Sequence, residues 1–490
     1  MHFPILSALI FIPLVAGVLL LILPADRKNL LRAVALAAAS LMLVLAAVLY
    51  LSFRPEVVGY QFLERVDWLP ALGISYYVGV DGISVPLIML AALVVFCGVL
   101  VSWNISERQR EYFAYLMFLG ASVVGVFASL DLFMLFFFFE LAVFPKFLMI
   151  VLWGYPKTRS YGGMKLTLYL YLGSVLALVG ALAIYFGAGM RTFDMLALEQ
   201  AGFAIGFQRI WFPVVFIGFG ILAGIFPLHN WAPDGHVAAP TAVSMLLAGV
   251  EMKVGAFAAL RVGIMLLPEG ARSWAWLILI LGTINVVYGA FIAMIQKDFK
   301  YVIGYSSVSH MGLVLIGFAS LNRQGLVGAG MQMFSHGIMT ALFFAIVGMV
   351  YDRTHDREIA NLGGLVRKMP WAAVGFIIAG LVSMGMPGFS GFVAEFPIFM
   401  GVWRVAPPVA IIAIIGVLVT AAYIFVVVRR VFFGELPSKF EQSVGDITIR
   451  DKIVIALLAG WMVALGLFPS IMTPMMESGV DHILALLGGG

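Results

Sequence analysis

Ionisable side chains lie within long apolar segments of this sequence, where they could bind protons and pass them on. Glu140 and Lys146 lie in FFFFELAVFPKFLMI, residues 136–150, and Lys253 lies in LLAGVEMKVGAF, residues 246–257. A charged side chain at the centre of a bilayer costs about 3 kcal/mol on insertion scales, so such residues need a function or a partner. Groups that share an apolar interior influence each other's protonation, so moving one charge expels or admits a proton at the next.

Two histidines and a further acid extend this set. His310 lies in YSSVSHMG, His336 lies in QMFSHGIM, and Glu395 follows Pro387 in another apolar run. Imidazole both accepts and donates a proton near neutral pH, so the histidines could connect the other groups. The predicted proton relay has six members: Glu140, Lys146, Lys253, His310, His336 and Glu395.

A packing role is the alternative for these residues. A buried ion pair can fix how helices pack while adding little net stability, and a lone intramembrane histidine is often a hydrogen-bonded core residue. Glu251 is two residues from Lys253, on a different face of an ideal helix, and is either its partner or a bystander. His229 and His236 lack metal-ligand spacing and are interpreted as capping or loop contacts.

Composition excludes a water-soluble fold. Hydrophobic residues make up 63% of the 490 residues, charged residues only 11%, and the mean hydropathy is +1.07, whereas ordinary globular chains are about a quarter charged. We expect one membrane domain over residues 1–490, in contact with the lipid bilayer and binding no nucleic acid. The single cysteine, Cys97, allows neither a disulfide framework nor a Cys-ligated metal or iron–sulfur site. No cofactor or metal is predicted in this chain.

The apolar runs predict an all-α polytopic membrane protein, because each is long enough for a helix of about 20 residues to cross the bilayer. The first run has no basic n-region or cleavage site and is predicted to be retained. About 14 spans are predicted, numbered 1 to 14, at residues 3–23, 31–51, 80–102, 112–129, 131–153, 165–188, 211–230, 240–267, 274–296, 301–320, 326–351, 371–400, 407–430 and 453–474.

Basic residues predict the orientation. Most Lys and Arg residues in the connections follow odd-numbered spans, and cytoplasmic connections are the ones enriched in these residues. Both termini are therefore predicted on the outer, periplasmic side of a bacterial inner membrane. The basic residues assigned to the outer side are Arg54, Arg65, Arg191, Arg209, Arg272, Arg323 and Arg404. Arg261, near the outer end of span 8, is expected to extend its side chain to the interface.

Two spans are predicted to be discontinuous. Span 7 contains Pro213 and Pro227, and span 12 contains Pro387 between glycines; proline removes a backbone donor and clashes with the preceding turn. Spans 7 and 12 cross in opposite senses, and paired interrupted helices are typical of inverted-repeat transporters. Two inverted five-helix repeats are predicted, spans 4–8 at about 112–267 and spans 9–13 at about 274–430.

Five segments carry a resemblance to a known family. FFFFELAVFP, PLHNWAPDGHVAAP, DFKYVIGYSSVSHMG, MFSHGIM and GMPGFSGFVAEF resemble the antiporter-like membrane subunits of proton-pumping NADH:quinone oxidoreductase, respiratory complex I. The M-type subunits, homologous to mitochondrial subunit 4, are the most similar, because other antiporter-like subunits tend to carry lysine at the position of Glu395. The resemblance implies fourteen helices, two inverted repeats and broken helices 7 and 12.

The resemblance also implies roles for matching residues. Glu140 matches the helix 5 glutamate that couples neighbouring subunits, Lys253 the central lysine and Glu395 the terminal acid. His310 and His336 match the connecting histidines. Partners would be other membrane-arm subunits, including neighbouring antiporter-like subunits, and the quinone, FMN and iron–sulfur clusters would be bound by partner subunits.

One position departs from the family pattern. Leu222 stands where the family has a helix 7 lysine that pairs with the helix 5 glutamate, and Lys146 lies six residues after Glu140 instead. Six residues turn an ideal helix by about 240° and rise about 9 Å, but Pro145 relaxes that geometry. We expect Lys146 to replace the absent lysine and to pair with Glu140. The alternative is that Lys146 turns to the cytoplasmic interface and the subunit pumps poorly.

The expected function is proton translocation coupled to quinone reduction in other subunits, as part of an H⁺-translocating oxidoreductase. One alternative is a subunit of a multi-subunit cation/proton antiporter, or of a related ferredoxin- or hydrogenase-linked complex. The other is a structural spacer that does not pump.

Overall fold

The computed structural model describes residues 3–442 and 444–488, and most of them are helical. The helices that correspond to spans 1 to 14 are, in order, Ile5–Ile22, Lys28–Ser52, Ser84–Val101, Gln109–Ala128, Leu132–Trp153, Arg159–Gly187, Ile205–Ala223 with Trp231–Ala238, Thr241–Met265, Pro268–Ile295, Phe299–Ala319, Arg323–Thr354, Pro370–Ser383 with Ser390–Val405, Pro407–Phe432 and Ile449–Leu467.

Within the described residues, twelve helices are each long and apolar enough to cross a membrane. Span 12 differs because it is split into two short helices, and span 14 because Arg450, Asp451 and Lys452 lie in its first turn. The mostly helical membrane fold is confirmed, and the number of crossings stays a prediction.

Three of the six predicted relay residues lie on the most buried helices. In the apolar 18-residue stretch of each span, 100% of the residues are buried in spans 8 and 11 and 94% in span 10. In span 13 only 33% are buried. Lys253, His310 and His336 belong to spans 8, 10 and 11 respectively. The helices that surround these three present apolar side chains outward, as helices in contact with lipid do.

The structure contains a β-hairpin before span 3, which the all-α prediction did not include. Strand β1, Gln61–Leu69, pairs antiparallel with β2, Ile74–Val80. Ser75 N donates to Asp131 Oδ2 at 2.9 Å, while Asp131 Oδ1 accepts from Phe133 N and caps span 5. The hairpin is thereby fixed to the start of span 5, on the predicted outer side. Thr473–Leu486 forms a further short helix after span 14.

Span 7 is broken after Ala223, but Pro213 lies inside a continuous helix. The predicted discontinuity of span 7 is confirmed, and the helix stays continuous at Pro213 because a donor from span 9 replaces the missing bond. A proline at this position leaves the carbonyl of Arg209 without its helical donor, and Trp274 Nε1 donates to that oxygen at 2.8 Å. The break occurs instead at Gly224, whose φ of 81° ends the helix in the left-handed region.

Trp274→Phe is expected to destabilise the protein by about 1 kcal/mol where spans 7 and 9 pack together, because the Arg209 carbonyl loses its indole donor. Denaturant unfolding of the purified protein in detergent would measure the change. Trp276→Phe is the matched control, because the Trp276 indole nitrogen makes no hydrogen bond among the described residues. Equal midpoints for both variants would contradict the role given to Trp274.

Three further irregularities lie beside the ionisable residues. Span 12 is interrupted between Ser383 and Ser390, as predicted, with positive φ at Gly385 and Gly388. Span 5 is interrupted at Ala142, between Glu140 and Lys146. Span 8 contains two π-helical segments, Leu247–Glu251 and Ala259–Met265, and such bulges occur frequently at functional sites.

Candidate proton-transfer site

Lys146 forms a buried ion pair, although with a different acid from the predicted one. Its Nζ contacts Glu251 Oε2, and both side chains are 1% exposed. The expected pair with Glu140 is wrong in this structure, because the helix turns Lys146 toward span 8. The alternative, a side chain at the cytoplasmic interface, is excluded by the same burial. Glu251 is therefore a partner of Lys146, and it was not among the six predicted relay residues.

Glu140 lies half-buried on the other side of the interruption in span 5. Its Oε1 atom is buried and has no hydrogen-bond partner in the described part of the chain. The neighbouring side chains of Phe137 and Phe144 are exposed, by 41% and 62%. Leu222, at the position of the family's helix 7 lysine, is buried and apolar. Glu140 thus lies near the outer surface of the helix bundle and not in its interior.

Lys253 lies in the interior of span 8, between the two π-helical segments. The side chain is 0% exposed, and Nζ donates to the carbonyl of Ala248, five residues earlier. Within residues 3–442 and 444–488, no carboxylate forms an ion pair with it. An amine can both bind and release a proton, so Lys253 can serve as a proton carrier in the core.

His310 and His336 stack on each other, with ring centroids 5.3 Å apart and an interplanar angle of 11°. Neither nitrogen of His336 has a hydrogen-bond partner among the described residues. In His310, Nδ1 lies 2.8 Å from Ser306 O and Nε2 lies 3.0 Å from Ser383 O. Both histidines are within electrostatic range of Lys253, so the structure brings these three predicted residues together.

Glu395 lies beside His310, with 3.8 Å between Glu395 Oε1 and His310 Nε2. Gln332 Nε2 donates to the same carboxylate oxygen at 3.4 Å. Glu395 is in the second turn of Ser390–Val405, and the Ser383 carbonyl that contacts His310 ends the first half of span 12. The interruption of span 12 therefore supplies both a backbone acceptor and an acid to His310.

A cavity of about 480 Å³ opens on the predicted cytoplasmic side. The residues that line it include Lys300, Tyr112, Thr241, Asp352 and Arg357, which belong to the ends of spans or to connections predicted on that side. Lys300 is 6% exposed, and its Nζ donates to Ala239 O at 2.6 Å. Lys300 stands at the start of an apolar run in the sequence and was therefore assigned to a connection. Its burial was not predicted.

His229 makes the predicted loop contact, because its ring stacks on Phe226 of the turn between the two helices of span 7, whereas neither His229 nor His236 caps a helix of the described chain through its ring nitrogens. All four of their ring nitrogens are buried without a partner among the described residues. The ring of His236 lies 5.4 Å from that of Phe344 and is within electrostatic range of both Lys253 and Lys300. His236 is consequently near both Lys300, which lines the cavity, and the core lysine Lys253.

Arg261 is buried and paired, contrary to the expectation that it extends to the interface. Its side chain is 2% exposed, and Nη2 lies 2.7 Å from Asp81 Oδ1. Arg261 Nη1 also donates to Tyr60 OH at 3.1 Å, and Tyr60 OH donates to Glu199 Oε1 at 3.1 Å. Four segments predicted on the outer side meet here, so we interpret this cluster as structural.

The described residues contain no group of three or more His, Cys, Asp or Glu side chains that could hold a metal ion. The ionisable interior groups instead form an ion pair between Lys146 and Glu251, a stacked pair of histidines and a close contact between His310 and Glu395. Such a set can exchange protons between side chains, because each member has both a protonated and a deprotonated form within reach of its neighbours.

Comparisons with known proteins identify the family. A profile of the transmembrane family described as NADH:quinone oxidoreductase/Mrp antiporter matches residues 129–421. NADH-quinone oxidoreductase subunit M of Rhodobacter capsulatus is 38% identical over 98% of this chain and 96% of its own length.

Solved structures share the fold. A chain of respiratory complex I from Thermus thermophilus with bound NADH superposes with a TM-score of 0.91 and 29% identity, over 99% of this chain and 100% of that chain. A chain of the Mrp complex from Dietzia sp. gives a TM-score of 0.87 over 99% of both chains. Its identity of 20% shows a common fold alone. The chain therefore belongs to the NADH:quinone oxidoreductase/Mrp antiporter family of membrane subunits, as an M-type member.

Proposed function

We propose that this chain is a proton-translocating membrane subunit of a redox-driven NADH:quinone oxidoreductase. The observation that carries the proposal is the series of ionisable groups through the buried core. The series runs from Lys300 at the cavity, past His236, to Lys253, the stacked pair His336 and His310, and Glu395. Burying this many charges without a function would be costly.

The second half of the series supports a direction for proton movement. Both nitrogens of His310 face carbonyl oxygens, of Ser306 and Ser383. A neutral imidazole can donate to one of these carbonyls at a time, and a protonated ring can donate to both. Glu395, 3.8 Å away, would stabilise the protonated ring and is placed to receive its proton. Protons would thus pass from Lys253 through the two rings to Glu395.

The remaining parts of the proposal concern the assembly. The chain would lie in the inner membrane of a bacterium with both termini outside, and spans 4–8 and 9–13 would form two inverted repeats. Neighbouring antiporter-like and other membrane-arm subunits would contact it, and Glu140, with its unpaired Oε1, would respond to one of them. The chain would bind no cofactor, and the quinone, FMN and iron–sulfur clusters would lie in partner subunits.

Glu395→Gln tests the function, because glutamine keeps an oxygen for Gln332 and the approximate volume but cannot release a proton. The measurement is acidification of inverted membrane vesicles per NADH oxidised. Proton movement along this subunit's path is expected to fall about tenfold or more, because general acid–base groups contribute at least that much. The control is Glu269→Gln, on the partly exposed Glu269 outside the series.

Two outcomes would overturn the proposal. Unchanged pumping in Glu395→Gln would indicate a structural spacer. A purified assembly that exchanges sodium ions for protons but oxidises no NADH would indicate a cation/proton antiporter. Identification of the co-purifying subunits by mass spectrometry separates this second case from a ferredoxin- or hydrogenase-linked complex.

A further inference from the structure

Lys146 and Glu251 form a buried ion pair that the family resemblance does not assign. The two residues come from spans 5 and 8, and each side chain is 1% exposed. The second oxygen of the acid, Glu251 Oε1, is buried with no partner within residues 3–442 and 444–488. Because an uncompensated buried charge is strongly destabilising, this carboxylate depends on Lys146, the one cation that pairs with it in the described part of the chain.

The pair lies next to the central lysine. Glu251 ends the first π-helical segment of span 8, and Lys253 is two residues further. Two residues turn a helix by about 200°, so Glu251 contacts span 5 while Lys253 faces away from it. In an apolar helix bundle a charge acts over such short distances with little screening. A change in the net charge of the pair therefore changes how favourable a proton on Lys253 is.

Lys146 has a second acid, Glu140, on its own span. Glu140 lies six residues earlier, across the interruption of span 5 at Ala142, and its Oε1 has no hydrogen-bond partner in the described residues. Leu222, on span 7, is buried and cannot bear a charge. Lys146 thus contacts one carboxylate, Glu251, while a second, Glu140, lies across the interruption of its own span.

We propose that Glu251 is a positioning residue of the proton relay, which holds Lys146 beside span 8 and sets the charge next to Lys253. The inference rests on the proposed function. While Lys146 is bound, the pair is neutral. When Lys146 moves toward Glu140, the bare Glu251 carboxylate favours the ammonium form of Lys253. When Lys146 returns, that support is lost, and the N–H bond of Lys253 breaks as the proton passes to the next base in the series.

The test uses the complete complex in inverted membrane vesicles with NADH and a short-chain quinone. The double variant Lys146→Met/Glu251→Met removes both charges at similar volume, and replacing a buried pair by apolar residues is often neutral for stability. We expect assembly to be retained and the protons pumped per NADH to fall, with the pH profile of pumping displaced. The single variants leave one bare charge and are expected to assemble poorly.

The matched control removes the other buried pair. Asp81→Asn/Arg261→Met eliminates an equally buried salt bridge outside the proton series and is expected to pump as the unmodified complex does. Wild-type pumping with an unchanged pH profile in Lys146→Met/Glu251→Met would overturn the inference and make the pair structural. The exchanged pair Lys146→Glu/Glu251→Lys keeps neutrality but places the base on span 8, and full activity in it would equally contradict the assigned order.

Lys253→Leu, measured in parallel, separates the two proposals. If Lys253→Leu stops pumping and the double variant does not, the role of Glu251 fails while the proposed function stands. If neither variant affects pumping, the proposed function itself fails. An infrared difference spectrum gives a direct readout, because a carboxylate band that is absent from Lys146→Met/Glu251→Met would report a change in Glu251 during turnover.

Discussion

Lys253→Leu is expected to reduce proton pumping through this subunit about a hundredfold. Lys253 is the buried group between His236 and the two stacked histidines, and a proton crossing that position without a side chain to bind it would be a bare charge in the bilayer interior. The penalty for such a charge is about 3 kcal/mol. A barrier higher by that amount slows transfer about a hundredfold, since each 1.36 kcal/mol is a factor of ten. Acidification of inverted vesicles by NADH measures the loss.

A second substitution at the same position separates proton exchange from charge. Lys253→Arg keeps the positive charge, but guanidinium does not release its proton in proteins, so this variant is expected to fail as well. Lys297→Leu is the matched control, because Lys297 is exposed in the connection before span 10. Normal pumping in Lys253→Arg would show that Lys253 supplies a fixed charge and exchanges no proton.

Arg261→Met is expected to destabilise the subunit by about 3–5 kcal/mol, because it leaves the Asp81 carboxylate buried without its cation. Asp81 Oδ2 already has no hydrogen-bond partner within the described residues, so no other donor replaces the guanidinium. The same change removes the donor to Tyr60, which connects the cluster to Glu199. The amount of subunit that stays in the complex during a detergent or denaturant titration gives the measurement.

Neutralising the acid should restore most of that stability. Asp81→Asn/Arg261→Met retains Oδ1, which accepts from Ile83 N at 3.1 Å and Ser84 N at 2.9 Å, so the start of span 3 stays capped. If the double variant were as unstable as Arg261→Met alone, packing of the long side chain, and not its charge, would explain the loss.

Local sequence was sufficient to predict most of the helices. A long apolar run has few alternatives to a transmembrane helix, because every backbone polar group in a bilayer needs an internal partner. The interruption of span 12 also followed from its own proline and glycines. The continuity of the helix at Pro213 could not be predicted locally. The donor that satisfies the freed carbonyl, Trp274, is more than sixty residues away in the sequence.

The partners of ionisable residues were the least predictable part of the site. Lys253, His310, His336 and Glu395 could be chosen because each is conspicuous within an apolar run. Which acid contacts Lys146 depends on how spans 5 and 8 pack. The sequence alone does not show whether that acid is Glu140 or Glu251.

The burial of two basic residues was also not predicted. Arg261 and Lys300 lie near helix ends, where a long side chain normally reaches water. Their burial is produced by Asp81 and by the carbonyl of Ala239, both contributed by other segments. No local pattern around either basic residue contains that information.

The two π-helical segments of span 8 give this helix an adjustable register. A π turn contains one residue more than the α turn it replaces, so deleting a residue from Leu247–Glu251 would restore α-helix and rotate everything before it by about 100° relative to Lys253. The connections at both ends could remain almost the same length while Glu251 turned away from Lys146. A single inserted or deleted residue is thus a way by which related chains could place acids and bases on different faces of one helix without rebuilding the bundle.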